Sequence, residues 1–179
     1  ADTAMNPRHT VRRIVGRPIE KLLGRRGAAV EARVAELLRL IELDESFMER
    51  LPGELSGGQK QRVCIARALA AEPDVIVCDE ITSALDRIVQ EGILKLLASL
   101  QARFGVSFLF ITHDIATVRA IADEIVVMRD GRVVEAGPKA EILSPPHAPY
   151  TELLLASAPE MESGWLDRTL AARGATAEG

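Results

Sequence analysis

A serine and two glycines open a helix-forming segment and could bind an anion. The segment reads Leu55-Ser56-Gly57-Gly58-Gln59, and helix-forming residues follow it. Ser56 stands where an N-cap belongs, and the glycines let an anion approach the main chain closely. Unpaired N–H groups and the helix dipole both favour negative charge at such an end. An isolated Ser-Gly-Gly is more often an ordinary helix cap, so its interpretation depends on the residues downstream.

Polar side chains follow two apolar runs that read as strands. Residues 75–78 form a continuous apolar run, typical of a strand buried on both faces of a parallel sheet, and Asp79 and Glu80 follow it. A second buried strand is predicted over residues 107–111, and His113 comes shortly after it. Functional groups gather at the carboxyl ends of strands in open α/β sheets. Asp79 could therefore coordinate Mg²⁺, Glu80 could position water, and His113 could reach a phosphate oxygen.

The hydrophobic periodicity predicts the elements that position these groups. Helices are predicted over residues 28–42, 88–103, 139–143 and 149–157. The helix over 88–103 connects the two strands in one βαβ unit, and Asp130-Gly131 predicts a type I′ hairpin turn. Residues 1–26 are expected to be irregular because Asn6-Pro7 and Gly16-Arg17-Pro18 act as breakers. The tail from about residue 159 is expected to be loosely ordered.

Composition limits the class of protein. The chain has 179 residues, enough for one domain or one and part of another. Its net charge of −4 gives no electrostatic argument for nucleic-acid binding. Cys64 and Cys78 lie in apolar runs without C-x-x-C spacing, which favours reduced core thiols. No apolar run approaches the roughly 20 residues needed to span a bilayer.

The order and spacing of these motifs resemble those of ATP-binding-cassette (ABC) proteins. Residues 55–59 resemble the family's signature motif, and residues 75–80 resemble its Walker B strand with the catalytic glutamate. Ser83-Ala84-Leu85-Asp86 resembles the D-loop, and His113 resembles the switch histidine. The resemblance covers roughly residues 1–157. Residues 6–11 and 146–154 resemble segments of the oligopeptide, dipeptide and nickel importer group.

The resemblance implies a role for the signature turn. Ser56, Gly57 and Gly58 would bind the γ-phosphate of ATP held by the opposite subunit of a head-to-tail dimer. Gln59 would support that contact, and Asp86 would help couple the two sites.

It also implies roles at the strand ends. Asp79 would hold Mg²⁺, and Glu80 would act as general base or orient the attacking water. His113 would contact the γ-phosphate. Positioning and charge neutralisation carry most of the catalysis in phosphoryl transfer, which fits these roles.

The resemblance further implies a fold class and a division of the chain. The fold would be α/β, a partial P-loop NTPase core with parallel strands, preceded by the helical signature subdomain. The expected division is a helical subdomain over 1–72, the carboxyl-terminal half of the ATPase core over 73–137, and carboxyl-terminal helices with a tail over 138–179.

The implied protein is a transport-coupled ATPase subunit that uses ATP and Mg²⁺, with peptide as the expected solute. Its partners would be a second ATPase subunit, transmembrane permease subunits and, indirectly, a solute-binding protein outside the membrane, with no nucleic acid. It would be cytoplasmic, at the inner face of the cell membrane.

The sequence departs from the family pattern in several places. The phosphate-binding loop G-x-x-x-x-G-K-[ST] is absent, as is the Q-loop glutamine. We therefore expect the carboxyl-terminal part of a cassette that does not hydrolyse ATP by itself and exposes an unpaired sheet edge. Ile81 replaces the usual proline, which should alter loop stiffness. Arg87-Ile88 stand where smaller residues are common, which affects the packing of the D-loop.

Two alternatives remain open from the sequence. One is a non-catalytic module that supplies only a signature helix and a binding surface, although the retained Glu80 and His113 argue against it. The other is a non-transport cassette ATPase acting on DNA or ribosomes. Neither sustained heptads nor basic segments support that alternative.

Overall fold

The computed structural model describes residues 5–83 and 85–157, and the chain divides after Ile111 into two compact units. The first unit contains, in order, α1 (Val11–Leu22), α2 (Ala28–Leu40), α3 (Gly57–Leu69), β1 (Val75–Asp79), α4 (Arg87–Phe104) and β2 (Ser107–Ile111). The second unit contains α5 (Ile115–Ile121), β3 (Glu124–Arg129), β4 (Arg132–Pro138), α6 (Lys139–Ile142) and α7 (Pro149–Ser157). The expected three-part division stays a prediction.

Helix α1 corrects the expectation that residues 1–26 are irregular. Thr10 caps the helix by accepting a hydrogen bond from the Arg13 N–H at 3.4 Å. The helix buries Val11, Ile14, Val15 and Ile19 on one face and includes Pro18. A proline inside a helix costs about 3 kcal/mol, whereas burying each large aliphatic side chain contributes about 1.5–3 kcal/mol. The buried face therefore outweighs the breaker.

Helices α2 and α3 pack with α1 around one hydrophobic core. The predicted helix over 28–42 is confirmed as α2, and its residues Val34, Leu37 and Leu38 are fully buried. Helix α3 begins directly after Ser56, as predicted, and buries Val63 in the same core. This core fixes the helix that carries the Ser-Gly-Gly turn.

The predicted βαβ unit is confirmed. β1 and β2 pair in parallel, from Val75 opposite Ser107 to Asp79 opposite Ile111, and α4 connects them. Helix α4 ends at Gly105, whose φ of 65° is the left-handed conformation that favours glycine. The pairing register places the end of β1 beside the end of β2.

The prediction that both strands are buried on both faces is wrong. Ile76 and Cys78 point into the core, but Val75 and Val77 are 56% and 59% exposed. Leu109 and Ile111 are exposed in the same alternating way on β2. In the described ranges, helices cover only the Ile76 face of this two-stranded sheet, so the alternate side chains remain in contact with solvent.

The second unit contains the predicted hairpin. β3 and β4 pair antiparallel around Asp130 and Gly131, whose φ values of 51° and 75° suit a type I′ turn. The helices predicted over 139–143 and 149–157 are confirmed as α6 and α7, whereas α5 was not predicted. The tail from residue 159 lies outside the described residues. No helix in the described part of the chain has the length and apolar character to cross a membrane.

Candidate functional site

The Ser-Gly-Gly turn is held by a reciprocal pair of hydrogen bonds. Ser56 Oγ accepts from the Gln59 N–H at 3.3 Å, and Gln59 Oε1 accepts from the Ser56 N–H at 2.9 Å. Leu55, the residue before the cap, is buried, while Ser56 and Gly57 are exposed. Helix geometry leaves the first N–H groups of α3 without intrahelical acceptors. An exposed, rigid helix N-terminus of this kind suits an anion.

The two glycines of the turn have different structural surroundings. A β carbon built on Gly58 would lie 2.6 Å from Val89 Cγ1, closer than real contacts allow. One built on Gly57 would meet Leu85 Cδ2 at 3.6 Å, an ordinary van der Waals distance. The requirement for glycine at 58 therefore comes from packing against α4. The sequence interpretation, which assigned both glycines to anion approach, missed this role.

The same contacts set α3 and α4 side by side with their N-termini together. Gly57 faces Leu85, Gly58 faces Val89, and the Arg62 guanidinium lies 3.6 Å from the position of a β carbon on Gly92. Residue numbers increase together on the two sides of this contact, so the two helices run in the same direction. Asp86 caps α4 by accepting from the Val89 N–H at 3.0 Å. The signature turn and the D-loop segment are thus neighbours.

Arg62 is a positioning residue that the sequence interpretation missed. Its Nη1 donates to the Ile41 carbonyl at 2.8 Å and lies 2.6 Å from Glu42 Oε2. Ile41 and Glu42 follow the end of α2, where carbonyls lack intrahelical donors and attract cations. Arg62 therefore ties α3 to the end of α2. An arginine six residues after an N-cap is a weak signal in a sequence.

Asp79 and Glu80 are exposed at the carboxyl end of β1. Asp79 is opposite Ile111, and the Glu80 N–H donates to the Ile111 carbonyl at 2.9 Å. Glu80 has a φ of 49°, in the left-handed region that is uncommon for non-glycine residues. Side chains of successive strand residues point to opposite faces, and the left-handed backbone ends that alternation at Glu80. The two carboxylates are therefore not restricted to opposite faces of the sheet.

His113 is exposed between β2 and α5, in the second unit. The next residue, Asp114, caps α5: its carboxylate accepts from the Ala116 N–H at 3.0 Å and from Thr117 Oγ1 at 2.6 Å. Thr112 Oγ1 accepts from the Asp114 N–H at 3.0 Å. The residues on both sides of His113 are therefore fixed by local hydrogen bonds.

The donor chemistry of the β1 end suits Mg²⁺. Carboxylate oxygens are its preferred protein ligands, and Mg²⁺ usually takes one or two of them together with waters and phosphates. Within residues 5–83 and 85–157, no three or more His, Cys, Asp or Glu side chains gather as a metal site. A magnesium ion held through Asp79 would therefore take its remaining ligands from phosphate and water.

Two family models match this chain. The model for ABC transporters matches residues 1–83, and the model for the carboxyl-terminal region of oligopeptide/dipeptide transporters matches residues 134–178. The chain belongs to the ABC transporter ATPase family. Within that family it matches the carboxyl-terminal region of ATPases of the oligopeptide, dipeptide and nickel import group.

Named relatives agree with this assignment. A protein of Brucella abortus strain 2308, named as a peptide import ATP-binding protein, is 43% identical over 161 residues, which are 90% of this chain and 48% of that protein. The nickel import ATP-binding protein NikE of Escherichia coli K12 is 45% identical over 133 residues, 74% of this chain and 50% of NikE. The chain spans about half the length of the curated relatives it matches.

Solved structures share the fold. A dimeric ATP-binding cassette in a post-hydrolysis state with ADP and phosphate is 37% identical, with a TM-score of 0.65 over 75% of this chain and 58% of that one. An ABC transporter named as metal-chelate type, in an inward-facing conformation, is 29% identical, with a TM-score of 0.69 over 76% of this chain and 55% of that one. The α/β ABC ATPase fold class predicted from the sequence is confirmed over this part of the chain.

Proposed function

We propose that this chain forms the carboxyl-terminal part of the ATP-binding subunit of an ABC importer and that the whole subunit couples ATP hydrolysis to solute uptake. The observation that carries this proposal is the exposed, Ser56-capped start of α3, set beside the Asp86-capped start of α4. Two aligned helix N-termini form a region of positive potential and unpaired N–H groups, which suits a nucleotide phosphate.

The signature turn would bind the γ-phosphate of ATP held by an opposing subunit. The N–H groups of Gly57 and Gly58 and the Ser56 hydroxyl are the available donors, because the Gln59 N–H already donates to Ser56 Oγ. The Gln59 side chain keeps Ser56 in place through its hydrogen bond to the Ser56 N–H. Asp86, which fixes the start of α4, would link movement at this turn to the second nucleotide site.

The end of β1 would serve the ATP bound by this subunit. Asp79 would hold Mg²⁺, which when bound neutralises charge on the phosphates. Glu80 would orient the attacking water or accept its proton, and its left-handed backbone frees the carboxylate from the strand alternation. His113 would contact the γ-phosphate, and the hydrogen bonds of Thr112 and Asp114 restrict the backbone on both sides of it.

The transported solute in this proposal is a peptide. The match to the oligopeptide/dipeptide transporter model and the peptide-import name of the Brucella relative support it. The partners would be a second ATPase subunit in a head-to-tail dimer, permease subunits in the membrane and a solute-binding protein on its outer side, with no nucleic acid. The subunit would work at the cytoplasmic face of the membrane.

One observation favours a second candidate, a non-catalytic cassette module. These 179 residues contain no G-x-x-x-x-G-K-[ST] sequence, so the chain has no motif for cradling the β- and γ-phosphates. We expect the purified chain to show no Mg²⁺-dependent ATP turnover. Turnover that Glu80→Gln abolishes in this chain would contradict that expectation.

Glu80→Gln in the assembled importer distinguishes the two candidates. The variant should lower ATP turnover by about a hundredfold or more, the usual contribution of a general base, while leaving nucleotide binding intact. Glu124→Gln, at another exposed glutamate, is the matched control and should leave turnover unchanged. Unchanged turnover in Glu80→Gln would establish the non-catalytic module instead.

Substitutions at Ser56 test the signature turn separately. Aspartate is as good an N-cap as serine, so Ser56→Asp should keep the stability of α3. Its carboxylate would repel the γ-phosphate, so ATP-dependent dimerisation of the whole ATPase subunit should be lost. Ser56→Ala should lose about 1 kcal/mol of stability through the missing cap. Dimerisation in Ser56→Asp at the level of the unmodified protein would contradict phosphate binding at this turn.

A further inference from the structure

The exposed side of α1 forms one wall of a polar groove in the first unit. The groove has a volume of about 730 Å³ and continues to the turn before α2 and to α2 itself. Its charged lining comprises five cations and two carboxylates: Arg8, Arg12, Arg13, Arg17, Lys21, Glu20 and Glu31. The groove therefore carries an excess of positive charge, although the chain as a whole has a net charge of −4.

Most of these cations are not neutralised by the protein. Arg12 pairs with Glu31 at 2.8 Å and with Glu49 at 3.2 Å. In contrast, Arg13, Arg17 and Lys21 form no ion pair within residues 5–83 and 85–157. They recur every four residues, so they form a stripe along one side of the helix. An exposed stripe of unneutralised arginines and lysine attracts an external anion.

The positive potential also acts on a neighbouring side chain. His9 lies just before α1, and its pKa is lowered by desolvation and by the positive charges of Arg13 and Arg17. A protonated imidazole is therefore disfavoured beside the stripe.

We infer that the Arg13–Arg17–Lys21 stripe is a binding surface for the phosphate headgroups of anionic phospholipids. Arginine guanidinium groups and lysine ammonium groups both bind phosphate oxygens. The stripe extends over nine residues, about 12 Å along the helix axis from Arg13 to Lys21, so it can meet several headgroups at once. Leu22, beside Lys21, is 68% exposed, so one apolar side chain is available to contact lipid next to the stripe.

This inference does not depend on the proposed ATPase function. It uses only residues 8–31 and no nucleotide, so either proposal can fail without the other. A soluble phosphate compound or an acidic protein segment could also meet the stripe, and the experiment separates both from lipid.

The experiment measures binding of the 179-residue chain to sedimented vesicles. Vesicles of phosphatidylcholine alone are compared with vesicles containing phosphatidylglycerol. The chain should bind the anionic vesicles, and added salt should weaken that binding. Each surface cation contributes about fivefold to binding of an anionic membrane. The triple variant Arg13→Gln, Arg17→Gln, Lys21→Gln should therefore bind about a hundredfold more weakly.

A charge-matched variant provides the control. Arg103→Gln, Arg119→Gln and Arg132→Gln removes the same charge from exposed positions outside the groove and should keep most of the binding. Circular dichroism and the thermal midpoint confirm that both variants are folded. A second control, Arg13→Lys with Arg17→Lys, keeps the positive charge and should bind the anionic vesicles about as well as the unmodified chain.

Three outcomes would overturn the inference. One is equal loss of vesicle binding in the groove variant and the charge-matched variant. Another is full competition by millimolar glycerol phosphate, which would indicate a soluble phosphate ligand. The third is no binding to the anionic vesicles, in which case binding of a poly-glutamate peptide that depends on the stripe would indicate an acidic protein segment.

Discussion

Gly58 and Val89 approach so closely that only the absence of a β carbon on Gly58 permits their contact. The hypothetical β carbon would lie 2.6 Å from Val89 Cγ1 and 3.9 Å from two further side-chain atoms of Val89. Valine has one preferred χ1 rotamer in a helix, so it cannot rotate away at low cost. This contact places the start of the signature helix against α4.

Gly58→Ala should therefore destabilise the chain by about 1–3 kcal/mol, the usual cost of overpacking. Denaturant unfolding measures the loss. Gly57→Ala is the matched control, because its β carbon would meet Leu85 Cδ2 at an ordinary 3.6 Å, and it should change stability little. Adding Val89→Ala to Gly58→Ala should recover part of the loss. A Gly58→Ala protein as stable as the unmodified chain would contradict the packing argument.

Arg62→Met should also reduce stability. The Arg62 side chain is only 20% exposed, and removing it leaves the Ile41 carbonyl without this donor. The expected loss is about 1.5–3 kcal/mol, typical of a hydrogen bond that involves a charged group. Chemical denaturation at two salt concentrations measures it.

The control for Arg62 is Glu42→Gln. Glu42 is 68% exposed, so solvent screens its ion pair, which should contribute at most about 1 kcal/mol. An equal loss in the two variants would assign the effect to the ion pair rather than to the hydrogen bond with the end of α2.

The sequence predicts the local framework well because its signals are local. The Ser56 cap, the Asp130-Gly131 turn and the βαβ unit each depend on residues close in the chain, and all three are confirmed. The breakers in residues 1–26 predict an irregular segment, and that prediction is wrong because the apolar face from Val11 to Ile19 packs against a core. Tertiary burial of this kind is not visible in a short window.

Long-range features of the site were less predictable. The need for glycine at 58 arises from Val89, and the partners of Arg62 are about 20 residues away in sequence. The apolar run over 75–78 indicates a strand, yet the same run occurs whether one or both faces are covered. The exposure of Val75 and Val77 thus depends on neighbouring elements rather than on the strand's own residues.

Arg13→Gln should raise the pKa of His9 toward its ordinary value of 6.5. The pKa of His9 is lowered by desolvation and then by Arg13 and Arg17, and the substitution removes one repulsive charge. NMR titration of the His9 ring resonances, assigned with a His9→Gln variant, measures the change. Arg103→Gln is the control and should leave the pKa unchanged.

The lowered pKa of His9 makes the stability of the chain depend on pH. The folded chain takes up the His9 proton at lower pH than the unfolded chain does, so below about pH 6.5 the unfolded state binds more protons. His9 therefore reduces the free energy of unfolding as the pH falls through 6.5, and Arg13→Gln should weaken that dependence. A lowered pKa of His9 in Arg13→Gln would contradict the assigned cause.

The isolated chain should self-associate through the exposed face of its parallel sheet. Val77 and Leu109 are register partners on that face and are 59% and 54% exposed. Exposed apolar patches and unpaired strand edges favour association. Val77→Thr with Leu109→Thr should raise the monomer fraction in sedimentation velocity while keeping strand propensity.

A matched variant removes two exposed leucines from helices. Leu22→Gln with Leu153→Gln should leave the association unchanged, because both residues lie outside the sheet. A stable monomer at micromolar concentration in the unmodified chain would contradict the prediction.

The contact between Gly58 and Val89 also has a mechanical consequence. Two helices that touch through a missing β carbon have little freedom to slide, since a shift along the axis brings the valine methyl groups against the neighbouring turns. The starts of α3 and α4 should consequently move as one rigid body, so a displacement of the signature turn should displace Asp86 by a similar amount.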